Sequence, residues 1–139
     1  MKQLITEIEV KVRFSEVDSM GIIWHGAYVK YFEDAREAFG KAYDLGYLYI
    51  HSNGFYAPLV DLNFHYKKPL RYDDTLLVKI IYTPTEAAKI LFEYEIRNAK
   101  TGELCTTGKS VQVFLDYNYQ LVLFTPPFYN KWKEMHGLL

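Results

Sequence analysis

The residues of this chain that could carry out chemistry lie in one short segment, from Val17 to Tyr28. Asp18 precedes His25 by seven positions, and Gly21 lies in the turn between them. An amphipathic helical pattern starts at about His25, and the first amides of a helix have no partner within it. These amides and the helix dipole stabilise negative charge that develops on a nearby oxygen. A carboxylate aimed at such amides can hydrolyse a reactive ester or thioester.

In this interpretation Asp18 attacks the carbonyl carbon or removes a proton from water. The backbone N–H of His25 or Gly26 polarises the carbonyl oxygen, and losing one such donor typically costs about 3 kcal/mol of transition-state stabilisation. The alternative is structural, because an aspartate just before a helix is most often an N-cap that binds the first amides itself. A lone histidine is also more often structural than catalytic. The spacing alone leaves both interpretations open.

Composition and charge exclude other kinds of protein. The formal net charge is -1, so the chain lacks the basic excess of a general nucleic-acid-binding surface. Cys105 is the only cysteine, so no intrachain disulfide can form. Because Cys105 lies in a strand pattern, we predict a small core residue and not a nucleophile. No pattern of ligands indicates a metal site.

The N-terminal residues and the apolar runs of the chain predict the cellular location of the protein. Residues 1–9 contain acidic side chains before any long apolar run, which is not typical of a signal peptide. No stretch approaches the roughly 18 apolar residues of a membrane span. We therefore expect one domain over residues 1–139, in the cytoplasm and without membrane contact.

One long helix is the clearest element of the pattern. Apolar residues recur at three- and four-residue spacing from Tyr28 to Tyr43, with charged residues on the opposite side. Gly46 is the predicted end of this helix or of a short continuation. Before the helix, residues 4–14 alternate as a strand whose buried face carries Ile8, Val10, Val12 and Phe14. The other predicted elements are strands within 55–69, 76–83, 88–98 and 104–116 and a short helix within 123–139.

These elements predict a fold. Strands joined by tight turns form an antiparallel sheet, and a single helix with a wide aromatic face needs a concave apolar surface. We predict an α+β fold in which an antiparallel sheet wraps around one long central helix. Such a sheet keeps an open edge, which pairing with a second copy of the chain would cover.

The segment from Arg13 to Arg36 resembles the signature of the hotdog-fold acyl-CoA thioesterases. The likeness is greatest to the 4-hydroxybenzoyl-CoA thioesterase family, including its YbgC-like acyl-CoA branch. The shared features are the aspartate, the glycine three positions later, an apolar pair, an aromatic residue, the histidine and a Phe-Glu-x-Ala-Arg run. The resemblance continues through the turn at 69–74 to about Asp116. It implies a hotdog fold assembled as a homodimer or homotetramer.

The resemblance also implies roles for particular residues. The catalytic aspartate corresponds to Asp18, and the carbonyl-polarising amide corresponds to the N–H of His25, so the imidazole matters less. Some hotdog thioesterases use a glutamate on the central helix, but with Asp18 present we predict a structural role for Glu33. The implied substrate is an acyl-CoA or acyl-carrier-protein thioester, and no cofactor is needed. A hotdog hydratase or dehydratase and a non-catalytic acyl-thioester-binding protein are the alternatives.

Two further groups of residues are candidates for binding substrate. Gly26, Trp24 and Tyr28 could border the acyl group, or the two aromatic rings could simply pack in the core. A basic cluster is either a solvated strand end or a site for the phosphates of coenzyme A, using charge-assisted hydrogen bonds. The members of this cluster are His65, Lys67, Lys68 and Arg71.

Overall fold

The computed structural model describes residues 3–139, so Met1 and Lys2, which belong to the predicted domain, lie outside the described residues. Within these residues the chain forms seven strands, three α-helices and a 3-10 turn. In chain order they are β1 Ile5–Lys11, the 3-10 turn Phe14–Glu16, α1 Ala27–Tyr43, α2 Tyr47–Ser52, β2 Phe55–Tyr56, β3 Leu59–Tyr66, β4 Thr75–Thr83, β5 Lys89–Asn98, β6 Leu104–Asp116, β7 Leu121–Val122 and α3 Pro127–Met135.

The strands form one antiparallel sheet with β6 as its longest member. The order is β1-β4-β5-β6, and β3 and β2 pair with the other side of β6. The short strand β7 folds back on the end of β6. Alternate residues of β4 and β5 are buried, as expected for strands with one face on a core.

The sheet curls around α1, whose apolar stripe crosses it. Phe32 packs against Phe64 of β3 and Tyr94 of β5, with ring centroids 5.0 Å and 4.5 Å away. Two turns further along the helix, Phe39 packs edge-on against Phe92 at 4.9 Å. These contacts fill the concave face with aromatic side chains and confirm the predicted α+β architecture. None of the described helices combines the length and hydrophobicity that crossing a bilayer requires.

The structure corrects two local predictions. Strand β1 ends at Lys11, and Phe14 is 78% exposed because the chain turns at residues 14–16 and carries the ring to the surface. There it packs edge-on against Tyr72 at 5.9 Å. Helix α1 ends at a left-handed Asp44, and Gly46 instead begins α2, a helix that the sequence pattern did not reveal.

The close approach of α1 and α2 gives a first prediction. A Cβ at Gly40 would stand 2.8 Å from the Gly46 Cα, a backbone atom that cannot rotate away. Glycine to alanine within a helix usually stabilises by about 1 kcal/mol. Here we expect Gly40→Ala to lower the free energy of unfolding by about 1–3 kcal/mol, measured by urea denaturation.

The control for this measurement is Gly46→Ala. A Cβ at Gly46 would lie 4.0 Å from its nearest neighbours, which is ordinary contact. We expect a change of less than about 1 kcal/mol, mainly from the weaker N-cap. A Gly40→Ala variant that is more stable than wild type would contradict the close approach of the two helices.

Candidate active site

Asp18 lies in a tight turn that the chain makes before its long helix. The Gly21 amide donates to the Asp18 carbonyl at 2.9 Å, and the Asp18 amide donates to the Ile22 carbonyl at 2.9 Å. Gly21 has a φ of 76°, a left-handed conformation that glycine adopts without strain. The Asp-Ser-Met-Gly sequence therefore forms a closed loop that presents the Asp18 side chain at a defined place.

The carboxylate of Asp18 is fixed through one of its two oxygens. Oδ1 accepts hydrogen bonds from the Met20 amide at 2.8 Å and from the Ile22 amide at 3.4 Å. Hydrogen bonds among the described residues leave Oδ2 free. Gly26 is the N-cap of α1, and no side chain caps this helix. Asp18 is therefore not a helix cap, and its second oxygen is available to a water or a substrate.

Helix α1 begins at Ala27. The sequence pattern predicts a start at about His25, two residues earlier. The Ala27 amide donates to the Trp24 carbonyl at 2.9 Å, and the Tyr28 amide donates to the His25 carbonyl at 3.4 Å. These bonds close a turn just ahead of the helix. In the part of the chain that the structure describes, no hydrogen bond uses the amide hydrogens of His25 and Gly26. Two free donors thus lie at the positive end of α1.

The indole of Trp24 lies against Gly26. A Cβ at Gly26 would stand 2.0 Å from Trp24 Cζ3 and 2.3 Å from Cη2. The φ of Gly26 is -67°, so the missing side chain, and not an unusual backbone, makes room for the ring. Trp24 is nevertheless 61% exposed. Its ring therefore forms an accessible apolar wall beside the two free amides.

A buried carboxylate, which the sequence analysis missed, ties this segment to α1. Glu16 is 4% exposed, and its Oε1 accepts from the Arg13 amide and from the Tyr31 hydroxyl, both at 2.9 Å. Its Oε2 accepts from the Lys30 ammonium at 3.3 Å. The Glu16 carbonyl accepts the Trp24 amide at 2.8 Å. One residue therefore connects both ends of the segment that carries the turn to the first turns of the helix.

These contacts keep Glu16 charged. Burial raises the pKa of its carboxyl, but hydrogen bonds from Arg13, Tyr31 and Lys30 outweigh burial, and the pKa lies below its ordinary value of 4.5. For Tyr31 the shift is the reverse, because burial and the adjacent carboxylate both raise the pKa of its hydroxyl. At neutral pH the cluster is a buried anion held by a neutral phenol and a cation.

Tyr66, at the end of β3, brings that strand to the site. Its ring centroid lies 5.1 Å from the His25 imidazole and 5.0 Å from the Tyr28 ring. Tyr66 is 45% exposed, whereas Tyr28 is only 3% exposed. Tyr28 therefore lies behind Tyr66 and reaches a ligand only if that ring moves. Tyr66, which the sequence analysis did not single out, forms the accessible surface beside His25.

The segment after β3 carries the basic residues to the same region. The Tyr72 amide donates to the Gly21 carbonyl at 2.9 Å, which pairs the turn of Asp18 with this segment. Arg71 forms a bridge with Ile22 and its side chain is exposed. Arg71 of the sequence-predicted cluster thus lies beside the turn, whereas the amides of Lys67 and Lys68 donate to the Cys105 carbonyl on β6.

The three cations that we predict for phosphate binding differ in their contacts. The Lys68 ammonium forms an ion pair with Glu103 at 2.5 Å, and both side chains are about half exposed. Such a surface pair contributes about 0–1 kcal/mol and opens readily. Lys67 and Arg71 are exposed, and the described residues offer neither side chain an ion pair.

The remaining candidates lie elsewhere. Glu33 is exposed on α1, and no hydrogen bond among the described residues joins it to Arg36 or to a backbone group. Cys105 is buried, as a core residue should be, and burial raises the pKa of its thiol. Across residues 3–139 no three His, Cys, Asp or Glu side chains are placed to hold a metal ion.

The cluster around Glu16 predicts both a stability effect and its pH dependence. Glu16→Ala leaves the Arg13 amide and the buried Tyr31 hydroxyl without an acceptor, so we expect a loss of about 2–4 kcal/mol in unfolding free energy at pH 7. Glu16→Gln keeps an acceptor and should lose less. Urea denaturation of the three proteins measures these differences.

The pH dependence has a definite sign. The pKa of folded Glu16 lies below its ordinary value of 4.5, so its stabilisation is complete above pH 4.5 and is lost as the pH falls through the folded pKa. Wild type should therefore lose its advantage over Glu16→Gln under acidic conditions. An advantage that stays constant down to pH 3 would show that the charge of Glu16 contributes nothing.

Comparison with known proteins gives a consistent result. The model of the Thioesterase-like superfamily matches residues 12–132. The Bacillus subtilis protein YneP, provisionally named an acyl-CoA thioesterase, is 36% identical over 114 residues, which cover 81% of this chain and 80% of that protein. An Arabidopsis thaliana chloroplastic acyl-acyl carrier protein thioesterase, ATL3, is 28% identical over 84% of this chain and 61% of its own length.

A solved structure agrees with this assignment. The crystal structure of a DHNA-CoA thioesterase from Staphylococcus aureus superposes with a TM-score of 0.83 at 28% identity, covering 96% of this chain and 92% of that one. Its fold is the antiparallel sheet around a central helix described above, so the predicted hotdog fold is confirmed. We conclude that this chain belongs to the Thioesterase-like superfamily and is a hotdog-fold enzyme of the thioester hydrolase class.

Proposed function

We propose that this protein hydrolyses acyl thioesters of coenzyme A or of an acyl carrier protein, using Asp18 and the amides that precede α1. The observation that carries the proposal is the combination of a carboxylate with one free oxygen and two amides with no hydrogen-bond partner. Asp18 supplies the carboxylate, and His25 and Gly26 supply the amides. Relatives with thioesterase names support the reaction class.

In the proposed reaction the thioester carbonyl oxygen accepts a hydrogen bond from the His25 amide, beside that of Gly26. The negative charge that develops on this oxygen is stabilised there by the donors and by the helix dipole. Asp18 acts as a general base or as a nucleophile. Either role ends with a carboxylic acid and a free thiol.

The two roles of Asp18 differ in the bonds that form. As a base, Asp18 takes a proton from water while the water oxygen bonds to the carbonyl carbon, and the C–S bond then breaks to release a thiolate that takes up the proton. As a nucleophile, Asp18 displaces the thiolate and forms a mixed anhydride, which water then hydrolyses. The free Oδ2 of Asp18 suits both routes.

The residues around the turn would hold the rest of the substrate. Trp24 and Gly26 border the acyl group next to the free amides. Tyr28 packs behind Tyr66, whose ring forms the surface beside His25. Exposed cations on the segment after β3 would bind the phosphates of coenzyme A or of the carrier prosthetic group. These cations are Lys67, Arg71 and, once its ion pair with Glu103 opens, Lys68.

We include a homodimer in the proposal, with pairing along β3. Within residues 3–139 the outer edge of β3 has no strand partner, and Val60 on that strand is 58% exposed. An unpaired edge with apolar side chains tends to pair with another chain. The other edge, β1, points Glu7, Glu9 and Lys11 to solvent, which blunts it. A twofold axis at β3 would therefore extend the sheet across two subunits.

The proposal also covers the extent of the domain, its cellular location, its branch of the family and its assembly. One thioesterase domain over residues 1–139 in the cytoplasm completes the proposal. The 4-hydroxybenzoyl-CoA branch stays a prediction, because the relatives carry names from several thioesterase groups. A homotetramer also stays a prediction.

Removing the charge of Asp18 tests the role of the carboxylate. Asp18→Asn keeps the shape of the side chain but removes the base and nucleophile, so we expect kcat on the best acyl-CoA to fall about 10²–10⁴-fold. Release of free thiol from a panel of acyl-CoAs measures the rate. Asp44→Asn, at the exposed end of α1, is the matched control and should keep wild-type activity. An Asp18→Asn variant as fast as wild type would refute this mechanism.

A proline at position 25 tests the amide separately from the imidazole. His25 is the second residue of the turn closed by the Ala27 amide and the Trp24 carbonyl, a position that accepts proline. His25→Pro deletes the N–H, so we expect kcat to fall about 10²–10³-fold. His25→Ala keeps the N–H and should stay within about tenfold of wild type. Equal losses in the two variants would assign the role to the imidazole instead.

A further inference from the structure

A pocket of about 440 Å³ lies between the end of α3 and the turn that joins β4 to β5, and this volume is within the range of small-molecule sites. Tyr82 and Lys133 line its floor and are only 2% and 4% exposed. The residues at its mouth are exposed, namely Pro84, Glu86, Asn130 and Leu139. The pocket therefore opens to solvent on one side and ends at a buried lysine on the other.

The pocket is remote from the reactive turn. Strand β4 begins at Thr75, next to the segment in which the Tyr72 amide donates to the Gly21 carbonyl of that turn. It ends at Thr83, between two residues that line the pocket. The eight steps from Thr75 to Thr83 span about 26 Å. The pocket is therefore separate from the proposed active site, and the mechanism proposed above gives it no role.

The floor of the pocket carries a buried ammonium without a counter-charge. The Lys133 Nζ donates to the Thr85 carbonyl at 2.7 Å and lies 4.6 Å from the centre of the Tyr129 ring. Because an ammonium has three N–H groups, these two contacts leave one of them unused. No ion pair within residues 3–139 includes Lys133. Lysine is almost never fully buried unless it is paired, so this side chain lacks the partner that burial usually requires.

The titratable groups around Lys133 do not replace that partner. Burial lowers the pKa of the Lys133 ammonium below its ordinary value of 10.5, and the exposed Glu86 carboxylate only partly opposes this. The hydroxyls of Tyr82 and Tyr129 bond to each other, and burial raises the pKa of both. Neither phenol therefore supplies a negative charge at pH 7. An anion bound in the pocket would stabilise the charged form of Lys133.

We propose that this pocket binds a small aliphatic monocarboxylate, with its carboxylate on the Lys133 ammonium and its hydrocarbon part against Leu138 and Leu139. The carboxylate supplies the missing counter-charge, and the hydrocarbon part replaces water on the two leucines. The inference does not depend on the proposed thioesterase activity, because the pocket and the reactive turn lie at opposite ends of β4.

Other groups of the pocket support this choice of ligand. Thr85 Oγ1 accepts the Ala87 amide at 3.1 Å, which leaves the hydroxyl hydrogen of Thr85 available to a carboxylate oxygen. The exposed Asn130 carries a second neutral donor. Glu86 at the mouth repels any further negative charge, so a dicarboxylate is disfavoured. The pocket therefore suits an anion with one charge at its inner end and an apolar body.

Removing the charge of Lys133 tests the site directly. Isothermal titration with sodium hexanoate measures the Kd, and we expect Lys133→Met, which keeps an unbranched side chain, to raise it at least about tenfold. Lys131→Met removes an exposed ammonium from the same helix, outside the pocket, and should keep the wild-type Kd. Equal affinity in wild type and Lys133→Met would overturn the inference.

Changing the mouth of the pocket gives a test that leaves the buried floor intact. Glu86→Gln removes the opposing charge at an exposed position, so the Kd for hexanoate should fall at least about twofold and that for adipate more. Glu9→Gln makes the same change on the exposed face of β1 and should alter neither. A Kd that is unchanged or higher in Glu86→Gln would contradict binding beside Lys133.

The ligand itself can be varied in the wild-type protein. From acetate through butyrate to hexanoate, affinity should rise about fourfold per added methylene, because each methylene leaves water. Hexan-1-ol, which has the hydrocarbon part without the charge, should bind at least about tenfold more weakly than hexanoate. Acetate or hexan-1-ol binding as tightly as hexanoate would overturn the proposed ligand class.

The pKa of Lys133 reports where the acid binds. A carboxylate stabilises the ammonium, so saturating hexanoate should raise the pKa of Lys133, followed by the ¹³Cε resonance that is absent from Lys133→Met. Asp18→Asn should leave this rise unchanged, because the reactive turn is about 26 Å away along β4. Hexanoate binding that leaves the Lys133 pKa unmoved, or that is lost in Asp18→Asn, would place the acid at the active site and overturn the inference. Neither outcome bears on whether the protein hydrolyses thioesters.

Discussion

The position of the reactive turn depends on one buried carboxylate that does not react. Between β1 and α1 the chain has little regular pairing, so its backbone groups need partners from side chains. Glu16 takes up the Arg13 amide, the Tyr31 hydroxyl and the Lys30 ammonium, which offsets the cost of burying its charge. Its carbonyl also holds the Trp24 amide. Because both ends of the segment are fixed to the helix, the turn between them has one position relative to the free amides.

Two carboxylates only two residues apart thus have different environments. Glu16 is buried, and hydrogen bonds engage both of its carboxylate oxygens. Asp18 is half-buried, and local amides hold only one of its oxygens. Environment rather than residue type distinguishes a structural carboxylate from one that can meet a substrate. The same contrast applies to Tyr31, which is bonded to Glu16, and Tyr66, which is open beside His25.

The sequence predicts the elements of regular periodicity well and the connections between them poorly. The strand predicted at 104–116 has those bounds in the structure. The long helix has its apolar residues where the pattern places them, but it ends at Tyr43 and not at the predicted Gly46. The exposure of Phe14 was not predictable, because alternation continues through it and the turn at 14–16 depends on contacts with α1. Within the site, Asp18 and His25 follow from the motif. Glu16 and Tyr66 could not be found in the same way, because their partners are distant in sequence. The one signal for Glu16 was the pair Lys30 and Tyr31, two hydrogen-bond donors on the same helical turn.

The outer edge of β3 has no strand partner within residues 3–139. The eight residues of β3 span about 23 Å, and Tyr66 at the end of the strand lies beside His25. Antiparallel pairing reverses one edge against the other, so the operation that covers an unpaired edge also adjoins the two unlike ends. In the proposed dimer, the pairing that covers the edge of β3 therefore also places the start of β3 in one subunit next to the Tyr66 end of the other, which lies beside His25.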